Sequence, residues 1–311
     1  MDERIRRIFG VFEMKKTESG KGQVFLKLNG GLGNQMFQWA LARMIQVMTD
    51  MDVYLDMSYF NKSYARPYQL DIFNFQPQIL TDPWMKLKLA FIWKFRAFFR
   101  RGKIFGITLF SERHFQFDPN IQKIKNNTYI EGFFQSEKYF KDVEEYIKSD
   151  FKFSGYPVNE NKETMNKIYE PGTSISLHIR RGDYVDKKRY QDLYAKCSID
   201  YYKRAVEYIA QKYPNPKLFV FSDDIKWVQR RLNLPYETIF VANNTGEKDY
   251  EDMRLMSMCA HNIISNSTFS WWAAWLNPNP NKIVIAPKKW FNDDSIVQTD
   301  IIPKEWVQLD N

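Results

Sequence analysis

Two arginines follow an apolar segment near the middle of the chain, and they are the residues best suited to chemistry. Residues 174–179 are predicted to form a strand, with Arg180 and Arg181 directly after it and Gly182 next. Open α/β sheets bind ligands in the crevice at the carboxyl ends of their strands. A guanidinium keeps its charge and bonds two phosphate oxygens at once, so this turn suits a diphosphate. A solvated surface turn is the alternative.

Two more predicted strands in the same half of the chain end in polar residues. Ser222-Asp223-Asp224 follows the strand 217–221, and Ser265-Asn266-Ser267-Thr268 follows the short apolar segment 261–264. Parallel strands joined by helices bring such ends to one edge of a sheet. Together the three ends could bind a nucleoside diphosphate, with arginine and hydroxyl groups on the phosphates and a carboxylate on ribose or base. A carboxylate that accepts two N–H bonds from the base would favour guanine.

Each of these motifs also has a purely structural interpretation. Asp223-Asp224 and Ser267-Thr268 both precede predicted helices, where such residues are ordinary N-caps. Trp271, Trp272 and Trp275 in the last of these helices are more typical of a core than of a stacking platform.

A glycine-rich loop lies between the first predicted strand and the first predicted helix. The strand 24–28 leads into Asn29-Gly30-Gly31-Leu32-Gly33-Asn34-Gln35, and a helix is predicted from there to about Thr49. The dinucleotide pattern fails because Met36 stands where it needs a glycine, and the lysine-hydroxyl pair of the phosphate-binding loop is missing. The loop can still direct backbone N–H groups and a helix N-terminus at an anion.

The order of the predicted elements favours an α/β fold with two Rossmann-type lobes and a site in the cleft between them. We expect 1–22 to be a polar leader, 23–172 the N-terminal lobe and 173–311 the C-terminal lobe, with the polar segment 152–172 as the boundary. The length of 311 residues fits two lobes, and one large domain is the alternative.

Composition limits the partners and the compartment. The chain has 45 Lys+Arg against 37 Asp+Glu, a net charge of +8, which suits nucleic acid, a membrane surface or a nucleotide-linked substrate. Cys197 and Cys259 are too few for a disulfide framework, and the three histidines lack metal-ligand spacing. No signal segment or membrane-spanning apolar run is visible, so a cytoplasmic protein is predicted.

Residues 84–110 combine aromatic and basic side chains at helical spacing. The predicted apolar face comprises Trp84, Leu87, Phe91, Ile92, Phe95, Phe98 and Phe99. The basic residues largely opposite are Lys86, Lys94, Arg96, Arg100 and Arg101. Such a helix can lie in a membrane interface rich in anionic lipid, although packing on its own domain is the more common arrangement.

Four motifs in order resemble those of glycosyltransferase family 11, the α-1,2-fucosyltransferases. They are Gly30-Gly31-Leu32-Gly33-Asn34-Gln35-Met36-Phe37-Gln38, His178-Ile179-Arg180-Arg181-Gly182-Asp183-Tyr184, Phe221-Ser222-Asp223-Asp224 and Ser265-Asn266-Ser267-Thr268-Phe269-Ser270-Trp271-Trp272. The resemblance implies a GT-B architecture, GDP-β-L-fucose as the donor and the 2-hydroxyl of a terminal galactose as the acceptor. It also implies inversion at the fucose carbon, with no obligatory metal and no other cofactor.

The resemblance assigns roles to the residues of these motifs. Arg180 would neutralise the diphosphate as GDP leaves, His178 would line the donor site, and Asp223 or Asp224 would hold guanine or ribose. The other donor-site residues that it implies are Gly31, Gly33, Asn34, Gln35, Ser222, Asn266, Ser267, Thr268 and Phe269. Fixed cations aimed at the leaving group lower the barrier, because negative charge accumulates there in the transition state.

An inverting transfer also needs a base near the attacking hydroxyl. The candidates are Asp183, Glu131 and Glu137, and the sequence does not rank them firmly. Asp50-Met51-Asp52 is the only D-x-D pair that could hold a metal, and we interpret it as a solvated turn.

The leading hypothesis is a cytoplasmic α-1,2-fucosyltransferase that decorates surface glycans of the bacterial type, with residues 84–110 as a candidate peripheral membrane contact at the inner face. One alternative is transfer of fucose to another sugar position or to a protein hydroxyl. The other is a non-enzymatic basic protein that binds membranes or nucleic acid. The nucleic-acid alternative lacks a basic stripe aligned with a binding motif, so no nucleic-acid partner is predicted.

Overall fold

Two sheets flanked by helices form the protein in the computed structural model, which describes residues 20–63, 65–97, 103–181, 192–293 and 295–311. In this part of the chain, the first sheet has five strands and the second has six. Each sheet is largely or wholly parallel, as expected when helices cross over between strands. The predicted α/β fold, a GT-B-like pair of Rossmann-type lobes, is confirmed.

The N-terminal sheet has the strand order β2-β1-β5-β4-β3, and only β3 runs antiparallel to its neighbour among the described strands. Its strands are β1 (Gln23–Lys27), β2 (Asp52–Asp56), β3 (Lys103–Ile104), β4 (Ile107–Ser111) and β5 (Thr128–Glu131). The helices of this half are α1 (Leu32–Thr49), α2 (Pro83–Lys94) and α3 (Glu144–Asp150). Alternation along β1 buries Val24 and Leu26 in the core on one face and Phe25 in a smaller core on the other.

The C-terminal sheet is parallel throughout, with the strand order β11-β10-β9-β6-β7-β8. Its strands are β6 (Ser174–Ile179), β7 (Lys217–Ser222), β8 (Thr238–Val241), β9 (His261–Ile263), β10 (Val284–Pro287) and β11 (Val307–Leu309). The helices are α4 (Glu160–Ile168), α5 (Ile199–Ala210), α6 (Ile225–Arg231), α7 (Tyr250–Met258) and α8 (Thr268–Leu276). Because β6 lies between β7 and β9, the three polar strand ends lie side by side, as predicted.

An aromatic cluster joins the two halves. Phe37 of α1 lies 4.6 Å from Trp271 and 4.9 Å from Trp272 of α8, between ring centroids. Phe140 stacks on Trp272 at 5.3 Å. Both tryptophans are fully buried, so their interpretation as core residues is confirmed. The lobes therefore share one continuous core, which holds the start of α1 against the start of α8.

The single helical face predicted for residues 84–99 is wrong. Helix α2 ends at Lys94, and residues 103–111 form a hairpin that adds β3 and β4 to the sheet. A tight turn with φ of 51° at Phe105 and 79° at Gly106 joins those strands. Phe98, Phe99, Arg100 and Arg101 lie outside the described residues.

Helix α2 buries a different stripe from the predicted one. Met85, Leu89 and Ile92 pack under the sheet, whereas Trp84 is 63% and Leu87 50% exposed. These two sets lie on nearly opposite sides of the helix, since residues three or four apart share a face.

Helix α4 lies within the segment 152–172, where the lobe boundary was expected. Asn161 bonds Asn244 and Asn243 of the C-terminal lobe at 2.9 and 2.7 Å. Residues 1–19 of the predicted leader are outside the described part. None of the described helices is long and apolar enough to cross a membrane.

Candidate active site

Arg180 lies at the carboxyl end of the central strand and faces an acid from the next strand. The β6–β7 register pairs Ile179 with Ser222, which sets Arg180 beside Asp223. An Arg180 guanidinium nitrogen lies 3.0 Å from a carboxylate oxygen of Asp223. About a quarter of each side chain is exposed, so the pair is partly accessible from the crevice.

Arg181 is held by three contacts with neighbouring elements. Its Nε lies 3.2 Å from Asp224, its backbone N–H donates to Asp223 at 2.8 Å, and its guanidinium lies 4.0 Å from the centre of the Trp227 ring. Asp224 also caps α6 by accepting from the Trp227 N–H. The structural interpretation therefore holds for Asp224, whose carboxylate is already engaged, and Arg181 fixes the turn that carries Arg180.

His178 is buried behind Arg180 and remains neutral. Its Nδ1 lies 3.0 Å from Ser265 Oγ, and its ring lies 5.8 Å from that of Phe269. Burial, reinforced by the neighbouring Arg180 cation, lowers the pKa of His178 to about 4. A neutral imidazole can either donate or accept one hydrogen bond at each ring nitrogen, according to its tautomer.

The segment 265–269 divides into buried and partly exposed residues. The Asn266 amide nitrogen donates to the carbonyls of Ala195 and Trp290 at 2.6 and 2.9 Å, so it fixes two loops. Ser267, Thr268 and Phe269 are partly exposed at the start of α8. Among the predicted residues of this motif, only these three have part of their surface exposed, whereas Asn266 is buried.

The glycine loop of the other lobe meets the start of α8. A Cβ on Gly33 would lie 2.5 Å from the carbonyl carbon of Thr268, so only glycine allows this close approach. Trp272 donates to the Gly33 carbonyl at 3.0 Å. Gly31 faces open space, and a Cβ there would meet no atom within 4 Å. Asn34 is partly exposed and accepts from Gln135 at 2.9 Å.

Gln35 is fully buried and uses its amide to tie loops together. Its nitrogen donates to the carbonyls of Gly30 at 3.0 Å and Pro67 at 2.8 Å, and its oxygen accepts from the Gln69 N–H at 3.0 Å. The structure thus places Gln35 in a supporting position behind the glycine loop.

A contact between the lobes near Arg180 was missed by the sequence reasoning. The Gln69 side chain donates to Asp249 at 2.7 Å, across from the N-terminal lobe to the start of α7. Arg66 and Arg180, one from each lobe, both act on the charge of Asp249. Burial raises the pKa of Asp249 overall, and these partners oppose the shift. Arg66 lies in a loop that carries no recognisable motif, so only the fold could reveal this cluster.

Asp252, within α7, is a second acid with a raised pKa. Asp252 accepts a hydrogen bond from Asn244 at 2.8 Å. Burial raises the pKa of Asp252 to about 7, and the nearby Asp249 and Glu251 charges add to the rise.

The structure describes two of the three candidate bases, Glu131 and Glu137. Asp183 lies outside the described residues. Glu131, at the end of β5, accepts from Ser111 at 2.9 Å and pairs with Arg96 at 3.3 Å.

Glu137 lies beside the last turn of α8. It lines a cavity of about 840 Å³ together with Trp275 and Lys282. The glycine loop meets the first turn of this helix, about 10 Å away at 1.5 Å per residue. The structure therefore does not bring Glu137 together with the other site residues.

Within the described ranges, no three His, Cys, Asp or Glu side chains cluster closely enough to hold a metal ion. Asp50 of the D-x-D pair ends α1 in a left-handed conformation with φ of 54° and pairs with Lys21. This agrees with its interpretation as a turn.

Two bacterial proteins and one primate protein are similar to this chain in sequence. The O-antigen biosynthesis glycosyltransferase WbnK of Escherichia coli is 33% identical over 303 residues, which is 91% of this chain and 99% of that protein. An alpha-1,2-colitosyltransferase of Escherichia coli is 32% identical over 300 residues, 92% of this chain and 99% of the relative. A galactoside alpha-(1,2)-fucosyltransferase 1 of Lagothrix lagotricha is 20% identical over 258 residues, 80% of this chain and 63% of the relative.

The family model Glycosyl transferase family 11 matches residues 3–310. This span contains both sheets, the arginine turn, the glycine loop and the start of α8. The chain belongs to glycosyltransferase family 11.

Proposed function

We propose that this glycosyltransferase is an inverting α-1,2-fucosyltransferase that moves L-fucose from GDP-β-L-fucose to the 2-hydroxyl of a terminal galactose on a surface glycan. The observation that carries the proposal is the position of Arg180. It lies at the end of the central strand, one residue beyond the strand and beside the segment that opens α8. The family and the motif resemblance supply the donor and acceptor classes.

The chemistry requires a cation at this point. When the bond between sugar and phosphate breaks, the diphosphate gains negative charge and the sugar gains positive charge. A guanidinium fixed near the leaving phosphate stabilises that separation without having to reorganise. Arg180 performs this role, because Arg181 is committed to Asp224 and Trp227.

Donor binding divides between direct and supporting residues. Arg180, Ser267, Thr268 and Phe269 contact the diphosphate from the C-terminal lobe, and His178 completes that wall. Gly31 and Asn34 approach from the facing lobe.

The supporting residues act by holding these groups. Gln35 and Gly33 fix the glycine loop, and Asn266 fixes the segment before α8. Asp223 orients Arg180, and Ser222 accepts from the Asp224 N–H at 3.0 Å. A role of Asp223 toward ribose or guanine is compatible with its partial exposure.

Asp183 is our proposed base, because it follows Arg180 by three residues in the sequence and belongs to the same motif. Glu131 is the second candidate, at the carboxyl edge of the acceptor-side sheet. The transfer proceeds without a metal, since the guanidinium supplies the positive charge that a metal would otherwise supply.

The colitosyltransferase relative favours a second candidate donor, a GDP-linked colitose. The two donors can be compared directly by incubating the enzyme with GDP-fucose or GDP-colitose and a panel of galactose-terminated glycans in EDTA. We expect a product with the mass of one added fucose, and we expect Arg180→Ala to form that product at least about tenfold more slowly. Product only from GDP-colitose would overturn the donor, and strict dependence on added metal would overturn the proposed chemistry.

A further inference from the structure

Four polar residues lie in one row at the carboxyl edge of the N-terminal sheet. The β1–β2 register pairs Lys27 with Asp56, and the β4–β5 register pairs Ser111 with Glu131. The β1–β5 register, continued by one residue, places Glu131 on the other side of Lys27. Residues in register point to the same face of a sheet, and neighbouring strands lie about 4.8 Å apart. We refer to Asp56, Lys27, Glu131 and Ser111, in this spatial order, as the edge row.

Hydrogen bonds within the protein use most of the carboxylate oxygens of the edge row. One oxygen of Asp56 accepts from the Tyr129 hydroxyl at 2.7 Å, and the other accepts from a backbone N–H two residues on at 2.9 Å. The Oε1 atom of Glu131 accepts from Ser111 at 2.9 Å and lies 3.3 Å from the Nε of Arg96. Its Oε2 atom accepts no hydrogen bond from any residue that the structure describes. Glu131 therefore has one carboxylate oxygen left for a further donor.

Lys27 is almost fully buried, yet its ammonium has no hydrogen-bond acceptor among the described residues. The residue is 6% exposed, and its Nζ lies 3.7 Å from the centre of the Trp93 ring. Over the described ranges, this Nζ forms no hydrogen bond and no direct ion pair. Burial lowers the pKa of Lys27 to about 8, and the Asp56 and Glu131 charges oppose the shift, so the side chain is mostly protonated at neutral pH. Three N–H donors are thus present at this edge of the sheet.

A second lysine shows how this fold pairs an ammonium that it takes out of water. Burial lowers the pKa of Lys282 to about 8 as well. Its Nζ donates to three backbone carbonyls at the end of α8, those of Ala274 at 2.7 Å, Trp275 at 3.0 Å and Asn277 at 2.8 Å. Lys27 has a similar shift without such partners. Burying a charged donor that lacks an acceptor costs free energy, so a ligand oxygen explains Lys27 better than the stability of the fold does.

We infer that Lys27 and Glu131 bind two neighbouring hydroxyls of the acceptor sugar. Lys27 donates to the oxygen of one hydroxyl, and the Oε2 atom of Glu131 accepts from the other hydroxyl. An ammonium and a carboxylate on adjacent strands complement a vicinal diol, because each hydroxyl can both donate and accept. The position agrees with this role, since parallel sheets bind ligands at the carboxyl ends of their strands.

The inference rests on the proposed function, in which a terminal galactose is the acceptor. The C1 atom of this galactose is in the glycosidic linkage, and its 2-hydroxyl is the one that reacts. The 3- and 4-hydroxyls are then the only vicinal pair left on the ring. We therefore assign these two hydroxyls to Lys27 and Glu131, which leaves the role of base to Asp183.

Acceptor kinetics with deoxy sugars test the inference. Methyl β-galactoside and its 3-deoxy, 4-deoxy and 6-deoxy analogues serve as acceptors, at a saturating concentration of whichever donor the enzyme uses. For the wild type, removal of the 3- or the 4-hydroxyl should raise the acceptor KM at least about tenfold, and removal of the 6-hydroxyl should raise it much less. Lys27→Met should raise the KM for the parent sugar at least about tenfold and leave kcat and the donor KM within about twofold.

Pairing each variant with each analogue separates binding from a structural role. In Lys27→Met, either the 3-deoxy or the 4-deoxy sugar should have the same KM as the parent sugar, because the partner of the missing hydroxyl is already gone. Glu131→Gln should raise the parent KM about fivefold or more and reduce the sensitivity to the other analogue. A merely structural role would raise the KM of all four sugars alike.

Lys282→Met is the matched control, since it removes a lysine with a similarly lowered pKa from outside the edge row. It should lower the melting temperature by about 3 °C or more and leave the acceptor KM unchanged. Lys27→Met should keep the melting temperature of the wild type, because no described acceptor loses its partner.

Two results would overturn the inference while the wild type still transfers sugar to methyl β-galactoside. They are an unchanged acceptor KM in Lys27→Met and an equal rise in KM for all four sugars. No transfer by the wild type to methyl β-galactoside would overturn the proposed acceptor together with this inference.

Discussion

The two adjacent arginines have different environments, and we therefore assign them different roles. Arg181 contacts Asp224, Asp223 and Trp227, while Arg180 pairs with Asp223 and its charge lowers the pKa of Asp249 against the effect of burial. An arginine that is fully committed to its own lobe stabilises the turn. Arg180 follows the end of the central strand and is 26% exposed, so it can meet a ligand at that edge of the sheet.

Arg180→Ala should lower kcat by at least about tenfold, because one charged contact to the leaving group is worth about 3 kcal/mol in the transition state. Arg181→Ala should lower the free energy of unfolding by about 1 kcal/mol, because it loses the stacking on Trp227 and an ion pair. Steady-state kinetics and urea unfolding on both variants measure the contrast. Equal loss of kcat in the two variants, with Arg181→Ala as stable as the wild type, would contradict the assignment.

His178 makes a pH-dependent contribution to stability. Its pKa is about 4 in the folded protein and near 6.5 when unfolded, so below pH 6.5 the unfolded chain takes up a proton that the folded protein refuses. The stability is complete above about pH 6.5 and is lost as the pH falls toward 4.

Replacing His178 with glutamine should therefore flatten the pH dependence of unfolding. The free energy of unfolding of the wild type relative to His178→Gln should fall by up to about 1.4 kcal/mol per pH unit between about pH 6 and pH 4.5. His261, whose pKa burial also lowers to about 4, provides the parallel variant His261→Gln. Parallel curves for the wild type and His178→Gln would show that the histidine titrates normally.

At the scale of elements, the junction between α1 and α8 depends on glycine. Gly33→Ala should lower the free energy of unfolding by about 1–3 kcal/mol, because its Cβ would overlap the Thr268 backbone at 2.5 Å and push the two helix starts apart. Gly31→Ala should be tolerated, since nothing lies within 4 Å of its Cβ and its φ is −80°. Thermal unfolding and GDP affinity of both variants check the pair. A Gly33→Ala protein as stable as Gly31→Ala would argue against a tight junction.

The loop behind this junction depends on one buried amide. Gln35→Met should leave the carbonyls of Gly30 and Pro67 and the Gln69 N–H without their partner. An unpaired buried polar group costs about 1–3 kcal/mol, so urea unfolding should show a loss of at least about 2 kcal/mol. Gln46→Met, partly exposed on the same helix, is the matched control and should change stability little. A loss of similar size in both variants would contradict the role of Gln35.

Local sequence patterns predicted these elements unevenly. The strand β6 and the polar ends of β7 and β9 were recognisable from the sequence. A short, largely apolar run such as Ile175 to Ile179 is typical of a buried strand. Helix α2 was drawn too long, because Phe95 continued its apolar spacing one residue beyond the end of the helix at Lys94. The strands β3 and β11 were not predicted, because each is too short to show a hydrophobic pattern.

At the scale of the whole molecule, the sequence predicted which strand ends meet but could not predict what each side chain does there. Gln35 and Asn266 lie in motifs that were predicted to line the donor site. The side-chain amides of both residues instead bond backbone carbonyls of the protein. Gln69 and Asp249 bond across the lobes, although neither belongs to a recognisable motif. Such contacts depend on how the two lobes pack against each other. The sequence pattern of a single strand carries no information about that packing.

The shared aromatic core has a consequence for the whole enzyme. Phe37 and Phe140 of the first half pack on Trp271 and Trp272 of the second, so the floor of the cleft is part of the folding core. The two lobes should therefore unfold together in one transition.

The most direct test of the central claim is the structure of the product. Purified protein, GDP-β-L-fucose and a glycan with a terminal β-galactose should be incubated in EDTA, and the product analysed by mass and by nuclear magnetic resonance. We predict one added fucose in α linkage to the galactose 2-hydroxyl. A product with fucose at another position, or no transfer from GDP-fucose to any galactose-terminated glycan, would contradict the account.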